Sequence, residues 1–227
     1  IRQSMSHSRH NSAIVLLSAG LDSVVSLAIA RERLDVRFAV TFDYGQRTSR
    51  QELKSARAIC RYYNVLHHRL DISWLGRVSK SALTQKQEVG IGRLLLVNDV
   101  WVPNRNSIFL SIGAALAEAG KIRYVITGFN REEGQDFLDN SRKFVNLFNR
   151  SLALSTLNHV RVKSYVQNLN KIQIVKLGIE HKVPFELIYS CYLGKANMCG
   201  RCLSCQRLRN ALRDAGALKY LKKLFSR

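Results

Sequence analysis

The sequence has few prolines, few acidic residues and no long apolar run. Only 2 prolines occur among 227 residues, and no biased tract is present, which argues against disordered linkers. The length suits one compact domain, which we expect to span residues 13–227 behind a basic flexible arm at 1–12. No stretch approaches the roughly 18 apolar residues of a membrane helix, and the first ten residues lack the apolar core of a signal peptide. We therefore expect no membrane association.

Acidic residues are scarce relative to basic ones. The chain has 36 Lys+Arg and 16 Asp+Glu, a net charge of +20. The surplus is concentrated in residues 151–227, which hold 14 Lys+Arg and three acidic residues. Such a surplus favours anionic partners such as nucleotides, nucleic acid or an acidic protein. It predicts a basic C-terminal face able to dock RNA or an acidic protein, but it does not distinguish an enzyme from a binding protein.

The cysteines are odd in number, which argues against a framework of disulfides. Four of the 5 lie within one short segment, at Cys191, Cys199, Cys202 and Cys205. Four thiolates close a tetrahedral Zn²⁺ site without an open position, so residues 191–205 predict a structural zinc site. The Cys-x2-Cys-x2-Cys spacing also resembles iron–sulfur ligation, and that alternative stays open. Free thiols at a metal site are typical of a reducing compartment, so we expect the cytoplasm.

Short apolar runs alternate with amphipathic stretches in the first part of the chain. The pattern predicts strands at 13–17, 37–42, 65–70 and 124–127, and helices at 21–33, 50–63 and 106–119. This alternation is typical of a parallel sheet covered by helices on both faces. Residues 71–103 lack clear periodicity and predict a long loop with a short helix, a kind of connection that often forms a binding segment. Beyond Ser141 we expect mainly helix.

A glycine-containing turn, Ser18-Ala19-Gly20-Leu21-Asp22-Ser23, follows the first predicted strand and leads directly into a helix. A loop in that position presents free backbone N–H groups at a helix N-terminus, and glycine permits close approach to a ligand. Asp22 either caps the helix or positions a cation near phosphates. The turn predicts a phosphate site, although a capped turn with two serines would look the same.

This turn resembles the Ser-Gly-Gly-x-Asp-Ser pyrophosphate loop of the PP-loop ATP pyrophosphatases, with Ala19 in place of one glycine. Further strings resemble the 7-cyano-7-deazaguanine synthase family of that superfamily: 42–47 followed by Glu52-Leu53, 102–111, 190–192, and 199–205 with Arg207. The likeness covers nearly all of residues 13–212. It implies an α/β fold of the adenine nucleotide α-hydrolase type, Rossmann-like, with a parallel five-stranded sheet, flanking helices and a C-terminal helical zinc-binding segment. A homodimer is also implied.

The resemblance implies an ATP-dependent ligase of queuosine biosynthesis. Such an enzyme adenylates the carboxylate of 7-carboxy-7-deazaguanine and converts it with ammonia, through an amide, to the nitrile. ATP, with Mg²⁺, is the implied co-substrate, and zinc is the implied structural ion. The implied catalytic residues are Asp22, Arg105 and Lys171. The implied ATP-binding residues are Leu17, Ser18, Ala19, Gly20, Leu21, Asp22, Ser23 and Gly128. The implied substrate-binding residues are Tyr44, Gln46, Arg105, Asn106 and Asp139, and the implied metal ligands are Cys191, Cys199, Cys202 and Cys205.

The chain departs from the family pattern near the expected substrate pocket. The family string Gly-Tyr-Pro-Asp-Cys-Arg-x-Glu-Phe is matched by residues 136–144, which keep Asp139 and Phe144. Pro, Cys, Arg and Glu of that string are Leu138, Asn140, Ser141 and Lys143 here, and its Gly and Tyr are Asp136 and Phe137. A Lys-Ala-Glu-type string likewise occurs as Lys171-Ile172-Gln173.

Two alternatives stay open. One is a paralogue that joins a 7-deazaguanine carboxylate to an amine on a protein or RNA, in antiviral defence. The other is a zinc-stabilised basic RNA-binding protein or a tRNA-modifying PP-loop enzyme. A steep salt dependence of RNA affinity without ATP turnover would indicate the RNA-binding protein. Release of AMP on addition of a carboxylate would indicate an enzyme.

Overall fold

The computed structural model describes residues 11–85 and 97–225. Residues 1–10, which make up most of the expected basic arm, lie outside the described residues. Residues 86–96 of the long 71–103 connection also lie outside them.

Five parallel strands form one sheet: β1 (Ser12–Leu16), β2 (Asp35–Asp43), β3 (Leu66–Asp71), β4 (Tyr124–Thr127) and β5 (Arg161–Ser164). Their order is β3-β2-β1-β4-β5, so the chain builds outward from β1 first in one direction and then in the other. In open α/β sheets, ligands bind beyond the carboxyl ends of the strands at the point where the order reverses. The topology therefore directs attention to the loop that follows β1.

Helices connect the strands and cover the sheet. In the described part of the chain they are α1 (Leu21–Arg33), α2 (Ser49–Tyr62), α3 (Trp74–Val78), α4 (Val97–Val100), α5 (Arg105–Ala119), α6 (Arg131–Asp136), α7 (Arg142–Ser155), α8 (Lys171–Glu180), α9 (Leu203–Asp214) and α10 (Leu218–Phe225). Short 3₁₀ turns lie at Leu138–Asn140 and Phe185–Leu187. None of these described helices has the length and apolar character needed to cross a membrane.

The core lies on both faces of β1, whose alternating side chains point to opposite faces. On one face, Val15 packs with buried residues of α1, α8 and α9, including Val24 and Ile174. On the other, Ile14 packs with Leu110 of α5 and neighbours from α7. Burial on both faces explains why β1 is a continuous apolar run rather than an alternating one.

The sequence pattern located four of the five strands to within two residues, and the parallel sheet with flanking helices is confirmed. It missed β5, in a region expected to be mainly helical. Only Val162 is buried there, between the exposed Arg161 and Lys163. An edge strand of four residues with one buried side chain has no apolar run to mark it. Its pairing with β4, rather than its own composition, makes it a strand.

Candidate active site

A cavity of about 300 Å³ lies at the carboxyl ends of β1, β2 and β4. Its walls come from the loop after β1, the starts of α5 and α8, and the segment before the cysteine cluster. Both acids and bases line it: Asp22, Glu52, Arg105, Glu133, Lys171 and Arg207. A concave site with several ionisable groups at a topological switch point is the usual form of a ligand site in this class of fold.

Hydrogen bonds of the Ser18 and Ser23 hydroxyls stabilise the loop after β1. The Oγ atoms of Ser18 and Ser23 are 3.2 Å apart, and Ser23 Oγ donates to the Gly20 carbonyl at 3.0 Å. Gly20 is the N-cap of α1, and no side chain caps this helix. The N-terminus of α1 therefore faces the cavity with backbone donors of the kind that bind phosphate.

Ala19 occupies the position where the resembling loop has glycine. Its φ of +62° lies in the left-handed region, which costs a residue with a Cβ roughly 1–2 kcal/mol. The methyl group is fully buried, so packing offsets part of this cost. The chain thus keeps the glycine-type backbone of the loop despite the substitution.

Gly128 follows β4 and packs against the start of α1. A Cβ at this position would lie 2.5 Å from Ser23 N and 2.8 Å from the Asp22 carbonyl carbon. Because both are backbone atoms, they have no flexible side-chain end to yield. Glycine at 128 is therefore required for the loop to sit against the end of β4.

Lys171 lines the cavity and lies between two carboxylates. Its Nζ donates to Asp22 Oδ2 and, at 2.7 Å, to Glu133 Oε1. It is the first residue of α8, and a capping box between Asn170 and Gln173 defines that helix start. The three side chains come from α1, α6 and α8, so the cluster exists only in the folded protein.

Burial and charge shift the pKa values of this cluster. Burial, reinforced by Glu133, raises the pKa of Asp22 to about 6 despite Lys171. Burial alone would lower the pKa of Lys171, but Asp22 and Glu133 outweigh it and hold that pKa above its usual range. Burial would also raise the pKa of Glu133, but the Lys171 ammonium outweighs burial, so this pKa is lowered. Lys171 is therefore a fixed positive charge, and Asp22 is the carboxyl that titrates most easily.

Asp22 has a second feature that points to a ligand. Its Oδ1 is buried and has no hydrogen-bond partner among the described residues. Buried polar atoms are almost always paired, so an unpaired carboxylate oxygen facing a site is typical of a group that meets a ligand or a cation.

Arg105 begins α5 and forms the opposite wall. Its guanidinium lies 5.8 Å from the centre of the Tyr44 ring, and its buried Nε has no partner in the described residues. Burial would lower the pKa of Arg105, but Tyr44 and Asp139 outweigh burial, so the group stays charged. Asn106 lies beside it and donates from Nδ2 to the Asp139 carbonyl at 3.4 Å.

The structure brings most of the sequence-predicted residues to the cavity. Those that line it are Leu17, Ser18, Gly20, Leu21, Asp22, Ser23, Tyr44, Arg105, Asn106, Gly128 and Lys171. Three others do not, namely Ala19, Gln46 and Asp139. Gln46 is buried within the β2–α2 loop, where its Oε1 accepts from Tyr44 N at 2.9 Å and its Nε2 donates to Glu52. Burial raises the pKa of Asp139, although the Arg105 charge opposes the rise.

Sequence reasoning missed several residues that line the cavity. Glu52 was part of a recognised string but received no role, and Arg207 was noted only beside the cysteines. Tyr192 was likewise part of a recognised string without a role, and Glu133 was not singled out. Glu133 lies in an ordinary acidic first turn of α6, so its pairing with Lys171 could be found only from the fold.

The four clustered cysteines converge as predicted. Their Sγ atoms all lie within 4.8 Å of one another. Backbone N–H groups point at the sulfurs, with Cys202 N 3.2 Å from Cys199 Sγ and Cys199 N 3.4 Å from Cys191 Sγ. Thiolates around one Zn²⁺ would lie ~3.8 Å apart for Zn–S bonds of ~2.3 Å, so the cluster fits a single tetrahedral ion.

The clustered thiols shift one another's pKa values in opposite directions. Hydrogen bonds from Cys202 and Cys205 lower the pKa of Cys191. The same contact with Cys191 raises the pKa of Cys202 to about 11, and contacts with both partners raise that of Cys205. Four thiolates this close require a bound cation to offset their repulsion.

The cysteine segment also forms part of the cavity wall. Tyr189 N donates to the Ala19 carbonyl at 3.0 Å, which ties the segment to the loop after β1. Tyr192, which directly follows Cys191, lines the cavity, and its backbone N–H points to Cys202 Sγ at 3.5 Å. The metal site and the cavity therefore share one segment of backbone.

Comparison with solved structures gives the fold. The U34-tRNA thiolase NcsA from Methanococcus maripaludis, solved with its [4Fe-4S] cluster, aligns over 98% of this chain and 73% of its own, with a TM-score of 0.53 and 12% identity. A 4-thiouridine synthetase in complex with RNA and bound ATP aligns over 93% and 53%, with a TM-score of 0.52 and 21% identity. These likenesses show that the chain shares the fold of these two enzymes.

Comparison with sequences gives the family. The family model described as "Queuosine biosynthesis protein QueC" matches residues 12–216. The 7-cyano-7-deazaguanine synthase of Carboxydothermus hydrogenoformans is 46% identical over 88% of this chain and 97% of its own length. That of Pelotomaculum thermopropionicum is also 46% identical, over 90% and 97%. The structure contains a phosphate-type loop at residues 18–23, the buried Lys171 and the cysteine cluster. With the sequence matches, these features show that the chain belongs to the QueC family of queuosine biosynthesis proteins.

Proposed function

We propose that this protein is an ATP-dependent 7-cyano-7-deazaguanine synthase. It would join ammonia to the carboxylate of 7-carboxy-7-deazaguanine and dehydrate the resulting amide to the nitrile. The observation that carries the proposal is that one cavity holds the phosphate-type loop, the Lys171 cluster and Arg105. The relatives' names and the match of nearly their whole length support the same substrate.

The first step would be adenylation of the substrate carboxylate. A carboxylate oxygen attacks the α-phosphorus of ATP, and pyrophosphate leaves as the acyl-adenylate forms. The backbone donors at the start of α1 and the hydroxyls of Ser18 and Ser23 would hold the pyrophosphate. Lys171 would add a fixed positive charge where negative charge develops, because such preorganised charges stabilise the transition state. Asp22, with its unpaired buried Oδ1, would hold Mg²⁺, which neutralises phosphate charge when bound.

The next steps would release AMP twice. Ammonia attacks the acyl carbon, AMP leaves, and a proton is lost, which gives the amide. The amide oxygen is then adenylated by a second ATP, with release of pyrophosphate and a proton. Loss of AMP and a proton from this intermediate forms the C≡N bond. Arg105, on the opposite wall, would stabilise the oxyanion of each tetrahedral or imidate stage, since its charge is retained despite burial.

Most departures from the family string lie away from the cavity. Leu138 is exposed, Lys143 is exposed, and Ser141 caps α7 by accepting from Phe144 N at 3.1 Å. Asn140 does line the cavity, where its Nδ2 donates to Glu133 Oε2 at 3.2 Å. Phe137, which replaces the Tyr of the family string, also lines the cavity, so two of the six differing positions reach it and four do not.

We further propose that the cysteine cluster holds zinc and serves the structure. A site closed by four thiolates leaves no position for substrate. Sulfurs that all lie within 4.8 Å of one another favour a single ion over an iron–sulfur cluster, whose irons and sulfides occupy more space between the ligands. The homodimer and the cytoplasmic location stay predictions.

The test is to incubate the purified protein with ATP, Mg²⁺, 7-carboxy-7-deazaguanine and ammonium, and to follow products by mass spectrometry. We expect the nitrile, with AMP and pyrophosphate released at each activation. Lys171→Met should abolish product while the protein still binds one zinc. Accumulation of adenylate or amide without nitrile would indicate the paralogue that uses another amine. No consumption of ATP or acid would refute the proposed substrate.

A further inference from the structure

Glu52 is a cavity residue to which the proposed reaction assigns no role. It lies in the first turn of α2, and its two oxygens are held separately. Thr48 Oγ1 donates to Oε1 at 2.6 Å, and Gln46 Nε2 donates to Oε2 at 2.9 Å. Gln46 is itself fixed by Tyr44 N and the Phe42 carbonyl. The carboxylate is thus set in one orientation by neighbours that are themselves immobilised.

The same wall of the cavity carries an opposite charge. Arg105 and Glu52 are close enough for each to affect the pKa of Tyr44, which lines the wall with them. Glu52 accepts hydrogen bonds from uncharged groups, and Arg105 Nε has no partner in the described residues. Burial raises the pKa of Glu52, although hydrogen bonds from Thr48 and Gln46 and the Arg105 charge oppose the rise. In its ionised form Glu52 offers acceptors only, beside the donor-only guanidinium of Arg105, and each carboxylate oxygen has lone pairs beyond the one already used.

That pairing matches one edge of a guanine-type ring. Such a ring presents two adjacent donors, the N1–H and the 2-amino group, followed by the carbonyl oxygen at position 6. A carboxylate accepts from the two donors, and a guanidinium donates to the carbonyl. Adenine lacks both the N1–H and the carbonyl, so it would leave the guanidinium unmatched. Stacked aromatic rings also form this side, with Phe42 and Phe109 4.3 Å apart between centroids.

We propose that Glu52 is a specificity-determining residue that binds the N1–H and 2-amino edge of the deazaguanine substrate. Arg105 then donates to the ring carbonyl, next to which the reacting carboxylate at position 7 is attached. This inference rests on the proposed function and adds the residue that would recognise the base. It also gives a role to the hydrogen bonds by which Thr48 and Gln46 hold the Glu52 carboxylate.

The experiment compares two ligands in four proteins. The ligands are 7-carboxy-7-deazaguanine and its analogue without the 2-amino group. The proteins are wild type, Glu52→Gln, the conservative Glu52→Asp, and Glu180→Gln, which removes an exposed carboxylate at the end of α8. Binding is measured by titration calorimetry, and KM and kcat are measured for the acid and for ATP. Thermal unfolding checks that each variant folds.

A charge-assisted hydrogen bond predicts that wild type binds the acid about 10- to 100-fold more tightly than the analogue. Glu180→Gln should keep that ratio. Glu52→Gln should reduce it about tenfold by weakening binding of the acid, with the KM for ATP unchanged. Glu52→Asp should retain part of this ratio of affinities. If Glu52→Gln does not fold, Glu52→Asp is the variant that tests the proposal.

Four results would overturn the assignment. If Glu52→Gln lost affinity for the acid and for its analogue to the same extent, Glu52 would only hold the β2–α2 loop. A change in the KM for ATP alone would mean that the adenine ring lies on this wall. A wild type that makes nitrile without distinguishing the two acids would refute the role of Glu52 while leaving the proposed function intact. Failure of wild type to convert the acid at all would refute the function itself, and the inference with it.

Discussion

Several residues at the cavity are in states that cost the fold free energy. Asp22 and Arg105 each bury a polar atom that has no partner in the described residues. Ala19 holds a left-handed backbone that a Cβ disfavours. Unpaired buried atoms also occur away from the cavity, as at Tyr63 and Asn158, and so do left-handed residues, as at Lys121. What supports a binding role for this end of the sheet is that the unpaired atoms of Asp22 and Arg105 belong to residues that line one cavity.

The ionisation of Asp22 gives a test that does not depend on activity. Burial raises its pKa to about 6 from an ordinary value of 3.8. The folded protein therefore binds this proton more tightly than the unfolded chain does. As pH rises from about 4 to about 6, the unfolded chain loses the proton first, so the free energy of unfolding contributed by Asp22 falls.

We expect the variant Asp22→Asn to escape this fall because its amide does not titrate. The free energy of unfolding of the variant, relative to wild type, should shift in favour of the variant as pH rises from about 4 to above 6. Urea unfolding at steps of pH measures the difference. Asp214→Asn, at the end of α9, removes a carboxylate remote from the cavity and serves as the control. A relative stability of Asp22→Asn that is constant with pH would show that the carboxyl is not perturbed.

At the scale of the elements, the sequence predicted what local patterns encode. The apolar run of β1, the loop at 18–23 and the cysteine spacing each carry their signal within a few residues. The partners of Lys171 do not, because Asp22 and Glu133 lie far away in sequence and meet it only when α1, α6 and α8 assemble. Gln46 was assigned to substrate from its string, but its burial inside the loop depends on contacts no string shows.

The contact between β4 and α1 is the element packing on which the phosphate-type loop depends. Gly128→Ala would place a Cβ 2.5 Å from Ser23 N, so the backbone of one element must move. We expect a loss of about 1–3 kcal/mol in the free energy of unfolding, as is usual for overpacking, together with weaker ATP binding. Urea unfolding and ATP titration measure the two effects.

Gly20→Ala provides the matched comparison for that prediction. Its Cβ would meet only side-chain oxygens, at 3.5 Å and 3.7 Å, and its φ of −73° suits alanine. Stability should therefore change little, whereas ATP binding should weaken because the new methyl group lies where phosphate would approach. If Gly128→Ala were as stable as Gly20→Ala, the tight packing of β4 against α1 would be disproved.

At the scale of the whole molecule, the C-terminal third closes the site formed by the first part of the chain. Tyr189 is bonded to the loop after β1, and Arg207 of α9 reaches the cavity and pairs with Asp136 of α6 at 2.9 Å. Between them lie the four clustered cysteines. A cation at the cysteines would therefore stabilise both the segment that carries them and the wall of the cavity.

Removal of the metal should accordingly weaken ATP binding as well as stability. If the ion is present at about 1,000 times its Kd, it contributes about 4 kcal/mol, and its loss lowers Tm by about 8–16 °C for a chain of this size. Differential scanning calorimetry and ATP titration, before and after treatment with a chelator, measure both effects.

Cys205→Ala should reproduce the loss of stability and of ATP affinity, because it removes one of four ligands. Cys60→Ala, which changes a buried thiol of α2 outside the cluster, should keep the metal and the affinity for ATP. Unchanged ATP affinity in the metal-free protein would show that the cysteine segment does not affect the ATP site. The hydrogen bond from Tyr189 to the Ala19 carbonyl would then have no role in ATP binding.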